Sequence, residues 1–148
     1  MTAEEMWKKF VEECHIIENE HDAWAFGDDA DTLAELVRRG IKTGTSSAYP
    51  LYEIEGEPLP EASGYSVILN SKDEAVCIIE NTKVYVMPFC EVSAKHAFKE
   101  GEGDRSLAYW RKVHEAFFTE CMKEAGLAFN EDMKVVCEEF QVVYPVEK

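Results

Sequence analysis

The sequence predicts an α+β domain in which the strands curl into a small mixed β-barrel flanked by three to four helices. Segments with helical periodicity occur together with extended segments, but they lack the regular strand–helix–strand alternation that predicts a parallel α/β sheet. A chain of 148 residues can bury one sizeable hydrophobic core, and 46% of its residues are apolar. We therefore predict a single domain over residues 1–148.

Four segments have the pattern of amphipathic helices. Acidic residues at 28–31 favour the start of the second one, because carboxylates are stabilised near a helix N-terminus, and Gly40 ends it. The last and longest segment repeats apolar residues every three or four positions, with Asp104 as candidate N-cap and Gly126 as stop. The predicted helices are residues 4–14, 28–39, 91–98 and 104–126.

Extended structure is predicted between and after these helices. β-branched and aromatic residues in short runs bounded by polar turns are typical of strands. The segment at 70–74 has the composition of a hairpin turn, and residues 52–60 form an acidic loop with two prolines. The predicted extended segments are residues 24–27, 41–49, 65–69, 75–86 and 133–144.

The net charge limits the kind of ligand. Fifteen basic residues against thirty acidic ones leave a charge of −15. Affinity for long nucleic acids comes largely from basic side chains that displace counterions, and this chain has no basic stripe. A small nucleobase-like molecule in a pocket agrees better with this charge than a polynucleotide groove, although a short single-stranded RNA end stays open as a partner.

Neither a metal nor another cofactor is expected. The five cysteines are scattered, and no Cys/His spacing suits zinc. No apolar run approaches the roughly 20 residues that span a bilayer, so no membrane association is expected. The charged N-terminus lacks the apolar middle of a signal peptide, which predicts a cytoplasmic protein. The oligomeric state, monomer or homodimer, is left open.

Two polar segments carry the candidate chemistry. Lys42 lies between Gly40 and Gly44, and hydroxyls follow at 43 and 45–47. In a regular strand Lys42 and Thr45 would point to opposite faces, but a bulge or turn at Gly44 would bring them to the same side. The second segment, residues 100–104, places carboxylates on a glycine-rich turn. An amine, hydroxyls and a distant carboxylate suit binding of a polar heterocycle, or opening of an amide.

These segments resemble a known family. The pattern G-x-K-x-x-T at residues 40–45 is similar to the G-x-K-x-x-T-x-R signature of the ASCH family, the activating-signal-cointegrator homology domains. W-A-F-G at 24–27 and the block E-G-E-G-D-x-S-L-x-x-W-R at 100–111 resemble its longer bacterial branch. The resemblance covers residues 24–144, so residues 1–23 are predicted to be an N-terminal helical extension. One departure is that Ser47 stands where the signature has arginine.

The resemblance implies a PUA-like barrel with a cavity for a nucleoside or nucleobase near the signature. It also implies an amidohydrolase activity, because small bacterial members remove the acyl group of N4-acetylcytidine with a lysine, a threonine and a glutamate. On this chain those residues match Lys42, Thr45 and Glu100, with Glu102 as the rival glutamate. The residues predicted to bind the substrate are Gly40, Thr43, Ser47, Tyr49 and Glu102.

Two roles for Lys42 and two other functions stay open at this stage. Lys42 could be a neutral base that activates Thr45, or a cation that polarises the acyl oxygen while Glu100 handles the proton. His96 and His114 are interpreted as structural residues. The alternative function is a non-catalytic module that binds RNA or a modified nucleotide. A ribonuclease is disfavoured by the charge of −15.

Overall fold

The computed structural model describes residues 1–17, 20–27 and 29–145, and it confirms the α+β fold. Five α-helices and five strands are present in this part of the chain, together with a short 3-10 turn at Phe89–Glu91. The helices are α1 (Ala3–Cys14), α2 (Ala30–Arg38), α3 (Tyr49–Glu55), α4 (Ala94–Glu100) and α5 (Leu107–Glu124). The strands are β1 (Asp22–Ala25), β2 (Gly44–Ala48), β3 (Tyr65–Leu69), β4 (Ala75–Pro88) and β5 (Lys134–Tyr144).

All five strands belong to one sheet with the order β1-β3-β4-β5-β2. β1 is parallel to β3, and the other neighbours are antiparallel. The register of the long β4–β5 pair shifts at two places, between Ile78 and Ile79 and between Asn81 and Lys83. Such irregularities bend a strand and increase its twist, and the sheet here curls into a half-barrel. The two edge strands, β1 and β2, border the open side.

Three apolar clusters hold the helices on the sheet. α5 packs through Trp110, Phe118 and Met122 against Val135 and Cys137 of β5. The second cluster joins Ala34 and Val37 of α2 to β3, β4 and β5. The third joins Met6, Trp7 and Phe10 of α1 to β3 and β4. Burying each of these large side chains stabilises the fold by about 1.5–3 kcal/mol, so packing of helix faces dominates its stability.

The four predicted helices all form, and α3 is a fifth where the sequence predicted extended chain and an acidic loop. Pro50 lies in the first turn of α3, a position where the missing N–H is not needed and the fixed φ suits a helix. Gly56 ends α3 with φ +66°. The prediction extended the acidic loop back to Tyr52, although its two prolines, Pro58 and Pro60, lie beyond the end of α3.

The N-cap of the last helix differs from the predicted one. The last helix is capped by Ser106, whose Oγ accepts a hydrogen bond from the N–H of Tyr109, and not by Asp104. Asp104 lies further out and accepts from the N–H of Ser106. Asp28, part of the acidic run before α2, lies outside the described residues. None of the described helices combines the length and hydropathy needed to cross a membrane.

Candidate functional site

A cavity of about 1150 Å³ occupies the open side of the half-barrel. The edge strands β1 and β2 form two of its walls, and residues 57–61 border it further out. α2 and α5 contribute apolar side chains, among them Leu33, Leu36 and Phe117. The cavity thus combines apolar surface with polar groups from several elements, which is the usual composition of a small-molecule site.

Lys42 reaches this cavity from the turn between α2 and β2. The turn is fixed by backbone hydrogen bonds: Lys42 N–H donates to Leu36 O at 3.1 Å, and Thr43 N–H donates to Lys99 O at 2.7 Å. The Lys42 side chain is 1% exposed. Its Nζ donates to Glu102 Oε2 at 2.9 Å, and it lies 3.4 Å from Glu100 Oε1 and 3.3 Å from the Glu100 carbonyl oxygen. The ammonium group is therefore held by two carboxylates.

Glu100 is the most heavily hydrogen-bonded carboxylate of the site, and it is 1% exposed. Three donors converge on its Oε2: Trp110 Nε1 at 2.6 Å, His96 Nε2 at 2.7 Å and Ser46 Oγ at 2.9 Å. Burial by itself raises the pKa of Glu100, but the Lys42 ammonium and the hydrogen bonds from His114 and His96 hold the pKa well below its usual value. Glu100 is thus a stable anion and a weak base.

His114 lies on the other side of Glu100, stacked on the ring of Trp110. Its Nδ1 is 2.9 Å from the Trp110 carbonyl oxygen and its Nε2 is 3.2 Å from Glu100 Oε1. Because both partners are acceptors, both ring nitrogens must carry a proton for both bonds to form. Burial lowers the pKa of His114, but the hydrogen bond and the charge of Glu100 raise it overall. Glu100 therefore has two cationic neighbours.

Glu102 differs from Glu100 in its surroundings, although the two are separated by one residue. Its side chain is 18% exposed and lines the cavity. The bond from Lys42 Nζ to Oε2 places this carboxylate beside the ammonium. Glu102 is accordingly the acidic group of the pair that a ligand and water can reach.

Comparison with known proteins identifies the family of this chain. The family profile of the ASCH domain matches residues 22–144. This chain belongs to the ASCH domain family. A crystal structure of an ASCH domain from Lactobacillus crispatus JV V101 is similar, with 34% identity, a TM-score of 0.89, and 95% of this chain and 93% of that chain covered.

A second similar structure is protein EF3133 from Enterococcus faecalis V583. It is 37% identical, with a TM-score of 0.88, and the match covers 95% of this chain and 86% of that chain. No curated protein matches the chain. These matches show the family and the fold of the chain.

Five of the predicted site residues lie at one cavity of the ASCH domain, and three do not line it. The lining includes Lys42, Thr45, Ser47, Glu100 and Glu102. Lys42 precedes β2 rather than belonging to it, so the opposite faces of a regular strand do not separate it from Thr45. The predicted residues outside the lining are Gly40, Thr43 and Tyr49.

Those three residues have other surroundings in the ASCH domain. Gly40 adopts φ +76° in the turn after α2. Thr43 bonds to the Lys99 carbonyl oxygen through its backbone and its hydroxyl. Tyr49 begins α3 with its ring 5.6 Å from Lys134 Nζ. Tyr52, on the same helix, does line the cavity, as do Tyr65 and Tyr109, and its hydroxyl is 2.8 Å from Ser47 Oγ.

The sequence interpretation missed the groups that orient Glu100. His96 and His114 were interpreted as structural, and Ser46 was given no role, yet all three bind the Glu100 carboxylate. A signal was present, because His96 precedes Glu100 by four residues and Trp110 precedes His114 by four. That spacing places side chains on one helix face. The contact between the two helices could not be predicted from spacing.

The same cavity contains a second buried carboxyl group, that of Glu138 on β5. Asn81 Nδ2 donates to Glu138 Oε1 at 3.0 Å, and both residues line the cavity. Burial raises the pKa of Glu138, the hydrogen bond from Asn81 lowers it, and the charges of Asp22 and Glu100 raise it; the net direction is upward. The pattern of residues 133–144 predicted only a final strand here.

Within the described residues, Glu100, Glu102 and His114 are the one group whose ligand atoms lie close enough for a metal ion, within 4.8 Å of one another. The Lys42 ammonium already donates to both carboxylates of this group, and both nitrogens of His114 face acceptors. A metal would need an unprotonated imidazole and would compete with the ammonium. The arrangement fits internal cations better than a metal ion.

Proposed function

We propose that this ASCH domain is an amidohydrolase that removes the acyl group from an N4-acylated cytidine or a related nucleobase amide. The observation that supports it best is the Lys42 ammonium held between Glu100 and Glu102 at the cavity wall. A fixed cation beside a reachable carboxylate supplies the two functions that amide hydrolysis needs. These are stabilisation of an oxyanion and transfer of a proton.

The charges around the cavity favour a ligand without a phosphate group. Among the described residues that line it, Lys42 is the one lysine or arginine, whereas eight side chains are carboxylic. Ser47 stands at the position where the family signature has arginine, and its hydroxyl bonds to Tyr52 instead. We infer a neutral nucleoside or free base as substrate. The carboxylic residues are Glu20, Asp22, Asp29, Glu57, Glu61, Glu100, Glu102 and Glu138.

In the mechanism that we propose, Glu102 is the general base. It takes a proton from a water molecule, and the water oxygen forms a bond to the acyl carbon. Lys42 exchanges its long bond to the Glu100 carbonyl oxygen for one to the acyl oxygen as negative charge develops there. The carbon–nitrogen bond then breaks, and Glu102 returns the proton to the leaving N4 amine. Glu100 does not react; its low pKa keeps it ionised, so that Lys42 and His114 stay in place.

Thr45 has two candidate roles in this scheme. It lines the cavity on β2, four residues before Tyr49 and three after Lys42. As a nucleophile its hydroxyl would form an acyl-enzyme that water then hydrolyses. As a positioning residue it would bind the substrate only. Thr45→Ser keeps a hydroxyl and Thr45→Val keeps the shape, so activity in the serine variant alone supports a role for the hydroxyl group.

The test is release of acetate from N4-acetylcytidine and N4-acetylcytosine. We expect turnover by the wild type and a loss of about 100-fold or more in kcat for Lys42→Ala and for Glu102→Gln. The matched control is Glu53→Gln, which removes the same charge from an exposed position on α3. It should leave the rate unchanged.

Each alternative has its own outcome. Binding of N4-acetylcytidine without acetate release would favour the non-catalytic module. Full activity of Glu102→Gln, together with loss of activity in a folded Glu100→Gln variant, would show that Glu100 and not Glu102 is the general base. Absence of both binding and turnover would reject the proposed substrate class.

A further inference from the structure

Glu138 is the carboxyl group of the cavity that the proposed mechanism does not use. It lies directly opposite Thr45 in the β2–β5 pair, so the two side chains are cross-strand neighbours on the same face of the sheet. Glu138 is 9% exposed and still lines the cavity. A carboxyl group is costly to bury unless it makes hydrogen bonds. The position of Glu138 beside Thr45 would bring its carboxyl group close to a bound ligand.

Asn81 fixes the orientation of this carboxyl group. Asn81 is 7% exposed, and its Nδ2 donates to Glu138 Oε1 at 3.0 Å. Its backbone is held from both sides, because Asn81 N–H donates to Gly64 O at 2.9 Å and Ser63 N–H donates to Asn81 O at 2.7 Å. The amide is thus a rigid support, and Glu138 has one defined orientation before any ligand binds.

The surroundings of Glu138 favour the neutral form of its carboxyl group. Burial and the charges of Asp22 on β1 and Glu100 on α4 raise the pKa of Glu138 more than the Asn81 bond lowers it. From α3 the phenol of Tyr52 also lies near this carboxyl group; burial raises the pKa of Tyr52, and a negative charge on Glu138 raises it further. A neutral carboxyl has one donor and one acceptor side by side.

We propose that Glu138, held by Asn81, is a specificity-determining residue that binds a ligand edge with an adjacent hydrogen-bond acceptor and donor. The ring nitrogen N3 and the N4–H of a cytosine form such an edge. The carboxyl O–H donates to N3, and the second carboxyl oxygen accepts from N4–H. This inference rests on the proposed function and deepens it, because it assigns the group that recognises the base beside the group that cleaves the amide.

The experiment measures the affinity for cytidine by calorimetry, since cytidine has the same edge and no acyl group to lose. Glu138→Gln presents a donor and an acceptor without a charge, and we expect an affinity within about threefold of the wild type. Glu138→Ala removes both groups and should weaken binding about tenfold or more. The matched control is Glu53→Gln on the exposed side of α3; it should bind like the wild type.

A second measurement keeps the proposal testable if the alanine variant does not fold. Binding by a neutral carboxyl weakens as the pH rises through the raised pKa of Glu138. The wild type should therefore lose affinity for cytidine as the pH rises, whereas Glu138→Gln should not. Because Asp22 and Glu100 are unchanged in that variant, a decline that it shares with the wild type belongs to those groups and overturns the proposal.

The experiments distinguish a wrong assignment of Glu138 from a wrong assignment of the hydrolase activity. Cytidine binding that follows the expected pattern, without acetate release from N4-acetylcytidine, rejects the hydrolase and leaves the role of Glu138 standing. Equal affinities of wild type and Glu138→Ala, an equal loss in the glutamine and alanine variants, or no binding of cytidine by the wild type would each overturn the role of Glu138.

Discussion

Glu100 and Glu102 show how burial assigns different roles to two identical side chains. Glu100 is enclosed by five donors or cations from α4, α5, β2 and the turn before β2, and its lowered pKa makes it a permanent anion. Glu102 has the same ammonium neighbour but retains 18% exposure. A group that must accept a proton near neutral pH cannot be as strongly stabilised in its charged form as Glu100 is. At this scale, the environment rather than the residue type decides the role.

Glu100→Gln should destabilise the fold by about 3–5 kcal/mol, because it leaves Lys42 buried without one of its counter-charges and removes an acceptor from His114. Glu102→Gln is the control and should cost under about 1 kcal/mol, since that pair is partly exposed. Urea unfolding at neutral pH measures both. Because the pKa of Glu100 is lowered in the fold, its contribution is present above about pH 4.3 and declines as the pH falls further. Equal costs of the two substitutions would contradict this assignment.

The contribution of His114 to stability changes with pH in the opposite direction to that of Glu100. Its pKa is raised in the folded state, so its contribution to stability is complete below the unfolded value of about 6.5 and is lost as the pH rises through the folded value. We expect His114→Gln to cost about 1.5–3 kcal/mol near pH 5.5 and less at alkaline pH. Unfolding curves across this range provide the test. A cost that does not change with pH would show that His114 is neutral beside Glu100.

At the scale of elements, the site depends on a close contact between the end of α4 and the turn before β2. Gly101 follows α4 with φ +71°, and a Cβ at this position would lie 2.6 Å from the Ile41 carbonyl oxygen. Arg105 supports the same junction by donating to the carbonyl oxygens of Phe98 and Ile41. These contacts place Glu100 against Lys42, so the glycine is needed for both the backbone conformation and the approach.

Gly101→Ala should therefore be more harmful than the same change at another glycine with positive φ. Gly56→Ala is the matched control, because Gly56 has φ +66° and nothing within 4 Å of the added Cβ. We expect about 1 kcal/mol for Gly56→Ala from backbone strain, and about 1–3 kcal/mol more for Gly101→Ala from the added contact. Urea unfolding measures the difference. Similar costs at the two positions would show that the junction adjusts without strain.

The elements differ in how well the sequence predicted them. α2 and α5 were predicted because their apolar stripes continue for several turns and end at Gly40 and Gly126. α3 was missed because its seven residues, with a proline and two glutamates among them, show little helical periodicity. Pairing of β2 with β5 joins residues far apart in sequence, and the contact of α4 with α5 depends on how two consecutive helices pack. Local patterns contain no information about such contacts.

The candidate site was predictable in the same uneven way. The resemblance at residues 40–45 and 100–111 located Lys42, Thr45 and Glu100, which the structure places at one cavity. The roles of His96 and Trp110 depend on where two helices cross, and the sequence does not define that crossing. The burial of Glu138, and hence its raised pKa, results from the curl of the whole sheet.

At the scale of the whole molecule, the open side of the half-barrel and the overall charge together determine which ligands can enter the cavity. Strand β1 and strand β2 are the two edges of the sheet, and the cavity lies between them. Unpaired strand edges usually need protection from other chains, and here carboxylic side chains surround the opening. A protein with a charge of −15 and an acidic cavity mouth repels anions before they reach Lys42.

This electrostatic argument predicts a preference between two ligands that differ by one phosphate group. Cytidine should bind about five- to tenfold more tightly than cytidine 5′-monophosphate at low salt, because a phosphate near the cavity carboxylates costs about 1 kcal/mol or more. Calorimetric titration of both ligands measures the ratio. At about 1 M salt, where charges are screened beyond roughly 3 Å, the ratio should decrease.

The alternative functions make the opposite prediction for the same titrations. A site for an RNA end would bind the monophosphate more tightly than the nucleoside, and added salt would weaken that binding because counterions are released when phosphates bind. Ser47→Arg provides a further check, since it restores the arginine of the family signature on the cavity wall. This substitution should raise the affinity for the monophosphate while leaving cytidine nearly unchanged, because the added guanidinium places a permanent positive charge on the cavity wall in addition to that of Lys42.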